Sequence, residues 1–370
     1  MTAALTAAAS PLAASPATSP VEVSWFSALC DDDYEFLGVP EAALKSSWEH
    51  CRNIVLAAEK GGFDNVLLPS GYALGIDTTV FASAIAVVTR RIRLLLAVRV
   101  GETWPPQLAR QIATLDRLTA GRLRVNIISS DMPGETMGSG PRYARTVELM
   151  SILKTLLNGQ PLDHQGEHWQ LKLDPPGVTT MSGKCPPLYF GGLSSAARAA
   201  AAEQADVYLM WPDTMPAVQA ILDDMRERAA ARGRTLKFGY RVHVVVRDTE
   251  AEARDAATRL LSKLDDAAGD AIRAKSLDAQ SEGVRRQAEL RESAGMQGYV
   301  EENLWTGIGR ARSGCGAAIV GDPDQVLAKL AAYQAMGIEA FVLSGYPHAT
   351  ECDLFARHVL PRLNHAPLEP

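Results

Sequence analysis

Short apolar runs alternate with amphipathic stretches along most of the chain. Runs such as LLLAV, VYLMW and FVLSG are almost continuously apolar and do not alternate with polar residues. Strands that are buried on both faces have this pattern, and they belong to parallel sheets that are covered by helices. The pattern predicts eight strands, at Val21–Phe26, Asn65–Pro69, Arg93–Val98, Arg124–Ser129, Leu188–Gly192, Val207–Trp211, Lys237–Arg247 and Ala340–Gly345.

Helical stretches lie between and after these strands, and one of them ends at a typical stop signal, the Gly61-Gly62 pair. The predicted helices are Ser46–Lys60, Asp77–Val88, Pro106–Gly121, Arg142–Leu157, Ser195–Gln204, Pro216–Arg232, Thr249–Leu264 and Thr350–Leu363. Eight strand–helix units predict an α/β protein with a single closed (β/α)8 TIM barrel. An open doubly wound sheet is the alternative, but no GxGxxG motif follows any of these strands, which favours the barrel.

Three segments depart from the alternation. Residues 1–20 are rich in Ala and Pro and contain no Lys or Arg, so we predict a disordered tail and not a secretory signal. Residues 21–364 then form one catalytic domain. Within it, Asp131–Pro141 is a Gly/Pro-rich connection, and Asp265–Gly321 is a long charged insertion before the last strand. Loops that follow barrel strands lie at the catalytic end, so we expect the insertion to be a lid or a substrate wall.

Composition narrows the class of protein. The chain has 370 residues, of which 47% are apolar, and a formal net charge of -6, which is typical of a globular enzyme. No basic stripe suggests a nucleic-acid partner, and no apolar stretch of about 18 residues suggests a membrane span. The five cysteines form no CxxC pair and their number is odd, which argues against a disulfide framework and favours a cytoplasmic location. No metal site is predicted.

Candidate catalytic side chains lie where the predicted strands end, among them Trp211. Arg241 and His243 are two positions apart in a strand, so both point to the same side. If that side is the interior, the arginine needs an anion, which is either a substrate group or a protein carboxylate such as Asp213. Spacing alone leaves both possibilities open.

Two further segments carry candidate chemistry. Tyr346 and His348 lie in a Gly/Pro turn after the last strand, where they either face the site or form a surface turn. The stretch LYFGGLSSAAR is a strand, a Gly-Gly turn and the start of an Ala-rich helix, an arrangement that binds phosphate at the helix N-terminus. Ser194 or Ser195 could equally serve only as the helix N-cap.

Together these segments resemble the alkanesulfonate monooxygenases of the bacterial luciferase-like superfamily. The matching stretches include ARQIATLDRLTAGRL, PPLYFGG, AAEQADVYLMW, KFGYRVHVVVRDT, NLWTGIGRARSGCGAAIVGD and GIEAFVLSGYPH, in the same order. The resemblance implies a (β/α)8 barrel that uses O2 and FMN as FMNH2, which a separate NAD(P)H-dependent flavin reductase supplies. It also implies cleavage of a carbon–sulfur bond, with release of sulfite and an aldehyde, and a homodimer or homotetramer.

The resemblance also implies roles for individual residues. Those expected around the reacting groups are Arg241, His243, Tyr346, His348 and Trp211, with Arg312 in a mobile lid. Those expected at the flavin are Asn126, Ser129, Tyr143, Gly191, Gly192, Ser194 and Ser195. A sulfonate is a permanent anion and needs fixed cations, so Arg241 and Arg312 are its expected partners, while His243 or His348 could move a proton.

The chain departs from the family in three places. Cys30 and Asp31–Asp33 replace a Thr-His-Gly stretch, Leu74 replaces a cysteine, and Asp131–Pro141 is shorter and lacks a histidine. We expect the acidic run to add negative charge near the mouth of the site, which would repel a small sulfonate. Two other readings therefore stay open, which are oxygenation of another small molecule without desulfonation and a flavin-binding paralogue without turnover.

Overall fold

The structure is a computed structural model, and it describes residues 19–274 and 281–369. Its centre is a closed barrel of eight parallel strands, each within two residues of its predicted bounds. The strands are β1 (Glu22–Phe26), β2 (Asn65–Leu68), β3 (Arg93–Arg99), β4 (Leu123–Ile128), β5 (Leu188–Phe190), β6 (Val207–Met210), β7 (Lys237–Val246) and β8 (Ala340–Ser344). Each strand pairs with the next, and β8 pairs with β1, which closes the barrel. The predicted (β/α)8 fold is confirmed.

The described residues form eleven α-helices, and all eight predicted helices are among them. They are α1 (Trp48–Gly61), α2 (Thr78–Ala86), α3 (Pro105–Leu118), α4 (Ser139–Leu157), α5 (Ser195–Gln204), α6 (Met215–Ala230), α7 (Glu250–Leu261), α8 (Asp266–Ala274), α9 (Glu282–Glu292), α10 (Pro323–Met336) and α11 (His348–His358). Short 3-10 helices lie at Ala42–Leu44, Gly307–Arg310 and Leu360–Arg362. None of the described helices is both long enough and apolar enough to cross a membrane.

The helix α10 was not predicted, although its boundary signals are present in the sequence. Asp322 and Gln325 form a capping box at its start, Pro323 occupies the first turn, and Gly337 ends it in the left-handed conformation. This helix separates the insertion from β8. A second missed element is an antiparallel hairpin between α4 and β5, formed by Leu162–Gln165 and Gln170–Leu173.

The insertion is fixed to the barrel through β7. It contains α8, α9, a short hairpin of Tyr299–Glu301 and Leu304–Trp305, and a strand at Ala318–Gly321. This last strand pairs in parallel with the far half of β7, from His243 to Val246. The described structure omits residues 275–280 of the insertion and residues 1–18 of the predicted tail.

Alternation along β1 separates the barrel interior from the helical layer. Trp25 packs against Phe63 and Phe355, with ring centroids 5.2 Å and 6.4 Å away. The next residue, Phe26, points to the opposite side, because neighbouring side chains of a strand face opposite ways. It packs there in an interior cluster with Leu67 and residues of four other strands. Phe26 therefore forms part of the floor of the barrel mouth.

Candidate active site

A cavity of about 640 Å³ lies at the carboxyl ends of the barrel strands. Residues at or just beyond the ends of β1, β3, β6 and β8 line it, including Phe26, Arg99, Trp211 and Tyr346. The insertion supplies another part of the wall, with Arg312 among its residues. The cavity therefore lies at the expected end of the barrel, where the active sites of TIM-barrel enzymes are found.

Two guanidinium groups lie over one aromatic ring. The Cζ atom of Arg241 is 4.5 Å from the ring centroid of Phe26, and that of Arg312 is 5.4 Å from it. Arg241 is 4% exposed and donates hydrogen bonds of 2.7 Å to the Ser344 hydroxyl and 3.0 Å to the Val242 carbonyl. Cation–π contacts of this kind hold a guanidinium in place without cancelling its charge.

The neighbours of Arg241 exclude one of the two possibilities that its sequence position left open. Among the described residues, no carboxylate forms an ion pair with Arg241, and Asp213 instead pairs with Arg286. The alternative that Arg241 balances Asp213 is therefore wrong. Burial and the charge of Arg312 lower the pKa of Arg241, but a guanidinium still stays protonated.

Arg312 is held from two sides. Its Nη1 forms an ion pair with Asp32 and donates a hydrogen bond of 2.9 Å to the Tyr346 hydroxyl. Burial would lower the pKa of Arg312, but Tyr346 and Asp32 raise it well above its ordinary value. Among the described residues, these two guanidinium groups thus have one ion-paired carboxylate, that of Asp32, which pairs with Arg312. The excess positive charge favours an anionic ligand between them.

The two predicted histidines lie behind the cavity wall. His243 and His348 are fully buried, and their rings lie 5.2 Å and 5.1 Å from the ring of Tyr346, which itself lines the cavity. The expectation that both imidazoles line the site is corrected, because the Tyr346 ring covers them. Arg241 and His243 do point to the same side, as predicted, since both reach the Ser344 hydroxyl.

The contact with Ser344 indicates the protonation of His243. The serine oxygen accepts a hydrogen bond from Arg241, so its own hydrogen is free to be donated to Nδ1 of His243, 2.7 Å away. If the serine hydrogen is donated in this way, the neutral ring carries its proton on Nε2. Burial lowers the pKa of His243 well below its ordinary value, and Arg241 and Arg312 lower it further. The ring is therefore neutral near pH 7.

The acidic run after β1 does not repel anions as expected. Asp32 is paired with Arg312. Asp33 is buried, with Nδ1 of His348 3.0 Å from one oxygen and Nε2 of His50 2.9 Å from the other. The prediction of added negative charge at the mouth is wrong for Asp32, whose charge Arg312 balances, and for Asp33, which is buried and does not line the cavity.

The opposite wall carries the residues predicted to hold a flavin. Those that line the cavity are Asn126, Ser129, Tyr143, Gly191, Gly192 and Ser194, whereas Ser195 is the first residue of α5 and lies outside the lining. A Cβ atom at Gly191 would lie 1.9 Å from the Leu209 carbonyl oxygen, and one at Gly192 would lie 2.7 Å from Cβ of Ala197. Gly192 also has a φ of +153°, which favours glycine.

This glycine turn leads directly into a helix N-terminus. The Ser194 hydroxyl accepts a hydrogen bond of 3.2 Å from the backbone N–H of Ala197, so Ser194 is the N-cap that the sequence left as an alternative. A cap does not prevent ligand binding, because the first turn of a helix still offers other backbone N–H groups and a partial positive charge. A glycine turn that has no room for a Cβ atom, followed by a helix N-terminus, is a typical arrangement for binding a phosphate.

Sequence reasoning missed several residues of the wall. Arg99 donates a hydrogen bond of 3.0 Å to the Ser70 carbonyl, and its Nε lies 3.2 Å from a carboxylate oxygen of Glu102. It directly follows the predicted strand Arg93–Val98, which is a usable signal for a site residue. Arg286 lies in the insertion, where neither hydrophobic periodicity nor a sequence motif indicates a site residue.

The insertion grips the end of β6. The indole of Trp211 lies between two glycines of the insertion, since a Cβ atom at Gly283 or at Gly314 would come within 3.0 Å of the ring. Gln287 of α9 donates a hydrogen bond of 2.6 Å to the Pro212 carbonyl and accepts one of 3.1 Å from the backbone N–H of Gly316. The same helix thus holds both the strand end and the loop that carries Arg312.

The chain matches the family described as luciferase-like monooxygenase over residues 35–340. It belongs to this family. The match agrees with the resemblance noted in the sequence, and it makes this barrel a luciferase-like monooxygenase with two arginines at its mouth.

Two curated relatives of this luciferase-like monooxygenase carry the name sulfoquinovose monooxygenase. The protein of Novosphingobium aromaticivorans is 71% identical over 354 residues, which cover 94% of this chain and 98% of that protein. The protein of Agrobacterium fabrum is 53% identical over 348 residues, covering 92% and 89%. A solved structure of a riboflavin lyase, with a modified FMN and riboflavin, superposes with a TM-score of 0.76 at 18% identity, covering 93% and 91%.

Proposed function

We propose that the protein is an FMNH2-dependent monooxygenase that oxygenates an organosulfonate, with the sulfonated sugar sulfoquinovose as the first candidate. One oxygen atom of O2 would enter an aldehyde and the other would enter water, while the carbon–sulfur bond breaks and sulfite leaves. The observation that carries the proposal is the pair Arg241 and Arg312, which faces the cavity and has, among the described residues, one ion-paired carboxylate, that of Asp32 beside Arg312. The names of the two relatives point to the same substrate class.

The arginine pair suits a sulfonate better than a neutral substrate. A sulfonate stays ionised at every physiological pH, so the protein cannot neutralise it by shifting its pKa. Guanidinium groups remain charged when buried and donate several hydrogen bonds in fixed directions. Arg241 and Arg312 would bind and orient the sulfonate, and the Tyr346 hydroxyl, which contacts Arg312, would lie beside it.

The opposite wall fits reduced FMN. Gly191 and Gly192 form a close turn in which a Cβ atom would clash with Leu209 or Ala197, and α5 begins directly after this turn. The Ser129 hydroxyl is buried there without a hydrogen-bond partner among the described residues. These residues, with Asn126, would hold the phosphate and the ring system. The reduced flavin would supply the two electrons that activate O2, and the structural relative with FMN supports this choice.

Three further features belong to this proposal. No GxGxxG motif follows a barrel strand, so a separate NAD(P)H-dependent reductase would deliver the FMNH2. All five cysteines are free, which supports the cytoplasm as the location. Residues 21–364 would act as one catalytic domain, in which the described part of the insertion closes the cavity as a lid.

A reconstituted assay tests the function. The full chain is mixed with FMN, NADH, an unrelated flavin reductase and either sulfoquinovose, an alkanesulfonate or glucose as the control without a sulfonate. We expect sulfite and an aldehyde from sulfoquinovose and nothing from glucose. Substrate-dependent oxygen use without sulfite would instead favour oxygenation without desulfonation. No substrate-dependent oxygen use with any compound would favour a flavin-binding paralogue without turnover.

A further inference from the structure

A buried tyrosine of β6 contacts the glycine turn that follows β5. Tyr208 is 1% exposed, and its hydroxyl donates a hydrogen bond of 2.8 Å to the carbonyl oxygen of Gly192. The next residue of the strand, Leu209, touches the same turn, since a Cβ atom at Gly191 would lie 1.9 Å from the Leu209 carbonyl oxygen. The strand β6 therefore contacts both glycines of the turn.

The direction of the Gly192 carbonyl determines the direction of the next backbone N–H. The peptide bond between Gly192 and Leu193 is trans, so its C=O and its N–H point to opposite sides. The side chain of Tyr208 lies in the apolar cluster between the barrel and the helices, together with Ala197 of α5. The carbonyl faces that layer, and the Leu193 N–H therefore points away from it. Among the described residues this N–H has no hydrogen-bond partner, and Leu193 lines the cavity.

A second tyrosine lies beside the same glycine and faces the cavity. Tyr143 of α4 is only 8% exposed and lines the cavity. Its hydroxyl oxygen lies 3.5 Å from the place that a Cβ atom at Gly192 would take, and it forms no hydrogen bond with the described residues. A buried hydroxyl normally has a hydrogen-bond partner, so this one indicates a polar ligand at the turn.

The donors at this place suit a phosphate. The Leu193 N–H and the Tyr143 hydroxyl can both donate a hydrogen bond, and α5 begins directly after the turn with the partial positive charge of its N-terminus. Phosphate oxygens accept such hydrogen bonds, and the negative charge strengthens them.

The Tyr208 hydroxyl decides whether the turn presents a donor or an acceptor. Glycine has no Cβ atom, so the peptide after Gly192 can rotate more readily than one that follows any other residue. If it rotated, the carbonyl oxygen would face the ligand with its partial negative charge, and the Leu193 N–H would turn away. The hydrogen bond from Tyr208 opposes this rotation.

We propose that Tyr208 is a positioning residue of the flavin site, which holds the peptide after Gly192 so that the Leu193 N–H faces the 5′-phosphate of FMN. Tyr208 acts through the backbone, and burial raises its pKa above its ordinary value, so that the hydroxyl keeps the proton it donates. The inference rests on the proposed function for the identity of the ligand as FMN.

The experiment compares the binding of FMN and riboflavin to the full chain. The two flavins have the same ring system and differ only in the 5′-phosphate, so the ratio of their Kd values reports the phosphate contacts. Flavin fluorescence, followed as protein is added, gives both values. We expect the wild type to bind FMN about 10- to 100-fold more tightly than riboflavin. In Tyr208→Phe we expect the Kd of FMN to rise about 5- to 20-fold, the effect of one buried hydrogen bond, and that of riboflavin to change less than about twofold.

Tyr240→Phe is the matched control. Tyr240 lies on the neighbouring strand β7 and is fully buried, and its hydroxyl lies 3.0 Å from that of Tyr333 and 3.4 Å from the Asp213 carbonyl oxygen. This variant also removes one buried tyrosine hydroxyl, so it should lower Tm about as much as Tyr208→Phe does. The ratio of the two Kd values should stay that of the wild type, because the hydroxyl does not contact the glycine turn.

A purely structural role of Tyr208 gives a different result. It would weaken FMN and riboflavin equally in Tyr208→Phe, or leave both unchanged, and either result overturns the proposal. The same change of ratio in Tyr240→Phe also overturns it. A wild type that binds the two flavins equally does so even if Tyr208→Phe does not fold.

The proposed function and this inference fail in different ways. If the wild type releases no sulfite but shows the expected ratios, the proposed function is wrong and the role of Tyr208 stands. If it releases sulfite and Tyr208→Phe keeps the wild-type ratio, the role of Tyr208 is wrong and the proposed function stands.

Discussion

Arg286 in the insertion and Asp213 after β6 form a bidentate ion pair. Nε of Arg286 lies 2.7 Å from Oδ2 of Asp213, and Nη2 lies 2.8 Å from Oδ1. Asp213 is only 4% exposed, and paired, charge-assisted hydrogen bonds of this geometry are among the stronger ones in proteins. The pair joins α9 to the end of a barrel strand, beside the contacts that α9 makes with the loop carrying Arg312.

We predict that Arg286→Met loosens the insertion while the barrel stays folded. Losing a charge-assisted contact worth about 1.5–3 kcal/mol should raise amide exchange in residues 281–316 about 10- to 100-fold. Hydrogen exchange with mass spectrometry measures this. Arg285→Met is the matched control, because Arg285 is exposed and lies 3.8 Å from its partner Glu289. Equal exchange in the two variants would show that the Arg286–Asp213 ion pair does not hold the insertion in place.

Arg241→Met should stop turnover without unfolding the protein. The arginine lacks a carboxylate partner among the described residues, so its charge serves a ligand and not the fold. Its loss should lower kcat about 100- to 1000-fold, or about 2.7–4 kcal/mol of transition-state stabilisation. Sulfite release and Tm, measured on the same preparation, check both parts.

Arg247→Met is the control for Arg241→Met, because Arg247 directly follows the same strand. Arg247 pairs at 2.7 Å with the buried carboxylate of Glu351. Its loss should cost about 3–5 kcal/mol of stability, because a buried charge is left unpaired, and should keep activity per folded molecule. If Arg241→Met melts early and keeps its activity, the anion-binding role is wrong.

His243 should make the protein less stable as the pH falls. Its pKa in the folded state lies well below 6.5, so below that pH the unfolded chain takes up a proton that the folded chain does not bind. The stabilisation is complete above pH 6.5 and decreases as the pH falls further. Between pH 7.5 and 5.5 one such histidine accounts for about 1.4 kcal/mol. Denaturant unfolding at both pH values should show a smaller difference in His243→Gln, and an identical difference would argue against this cause.

We predict that the protein is a homodimer or homotetramer. The helix α2 and the residues after it expose apolar side chains, with Val80 71% and Val87 54% exposed. The two valines are about two helical turns apart, which places them on one side, and exposed apolar groups that lie together are typical of an interface. Light scattering should find a multiple of 39.8 kDa for the wild type and a smaller mass for Val80→Glu/Val87→Glu. Met296→Glu, exposed in the insertion, should leave the mass unchanged, and a monomeric wild type would refute the prediction.

The sequence by itself determined the barrel and the location of its site. Apolar runs of strand length identify strands buried on both faces, and their alternation with helices leaves few topologies. Arg241 and His243 point to the same side because side chains two positions apart in a strand share a face. The Gly191-Gly192 pair predicts a turn with close backbone contacts before α5. These features are local, so a single stretch of sequence contains all the information they need.

Only the tertiary structure decided how the charges are paired. Arg312 meets Asp32 across 280 positions of the chain, and Asp33 meets His348 across 315. Such contacts depend on how the barrel closes, which brings β8 back beside β1 and folds the insertion over the mouth. Neither hydrophobic periodicity nor the spacing of residues along the chain predicts contacts between positions so far apart. For that reason the acidic run looked repulsive in the sequence, Asp213 looked like a partner for Arg241, and His243 and His348 looked exposed to the cavity.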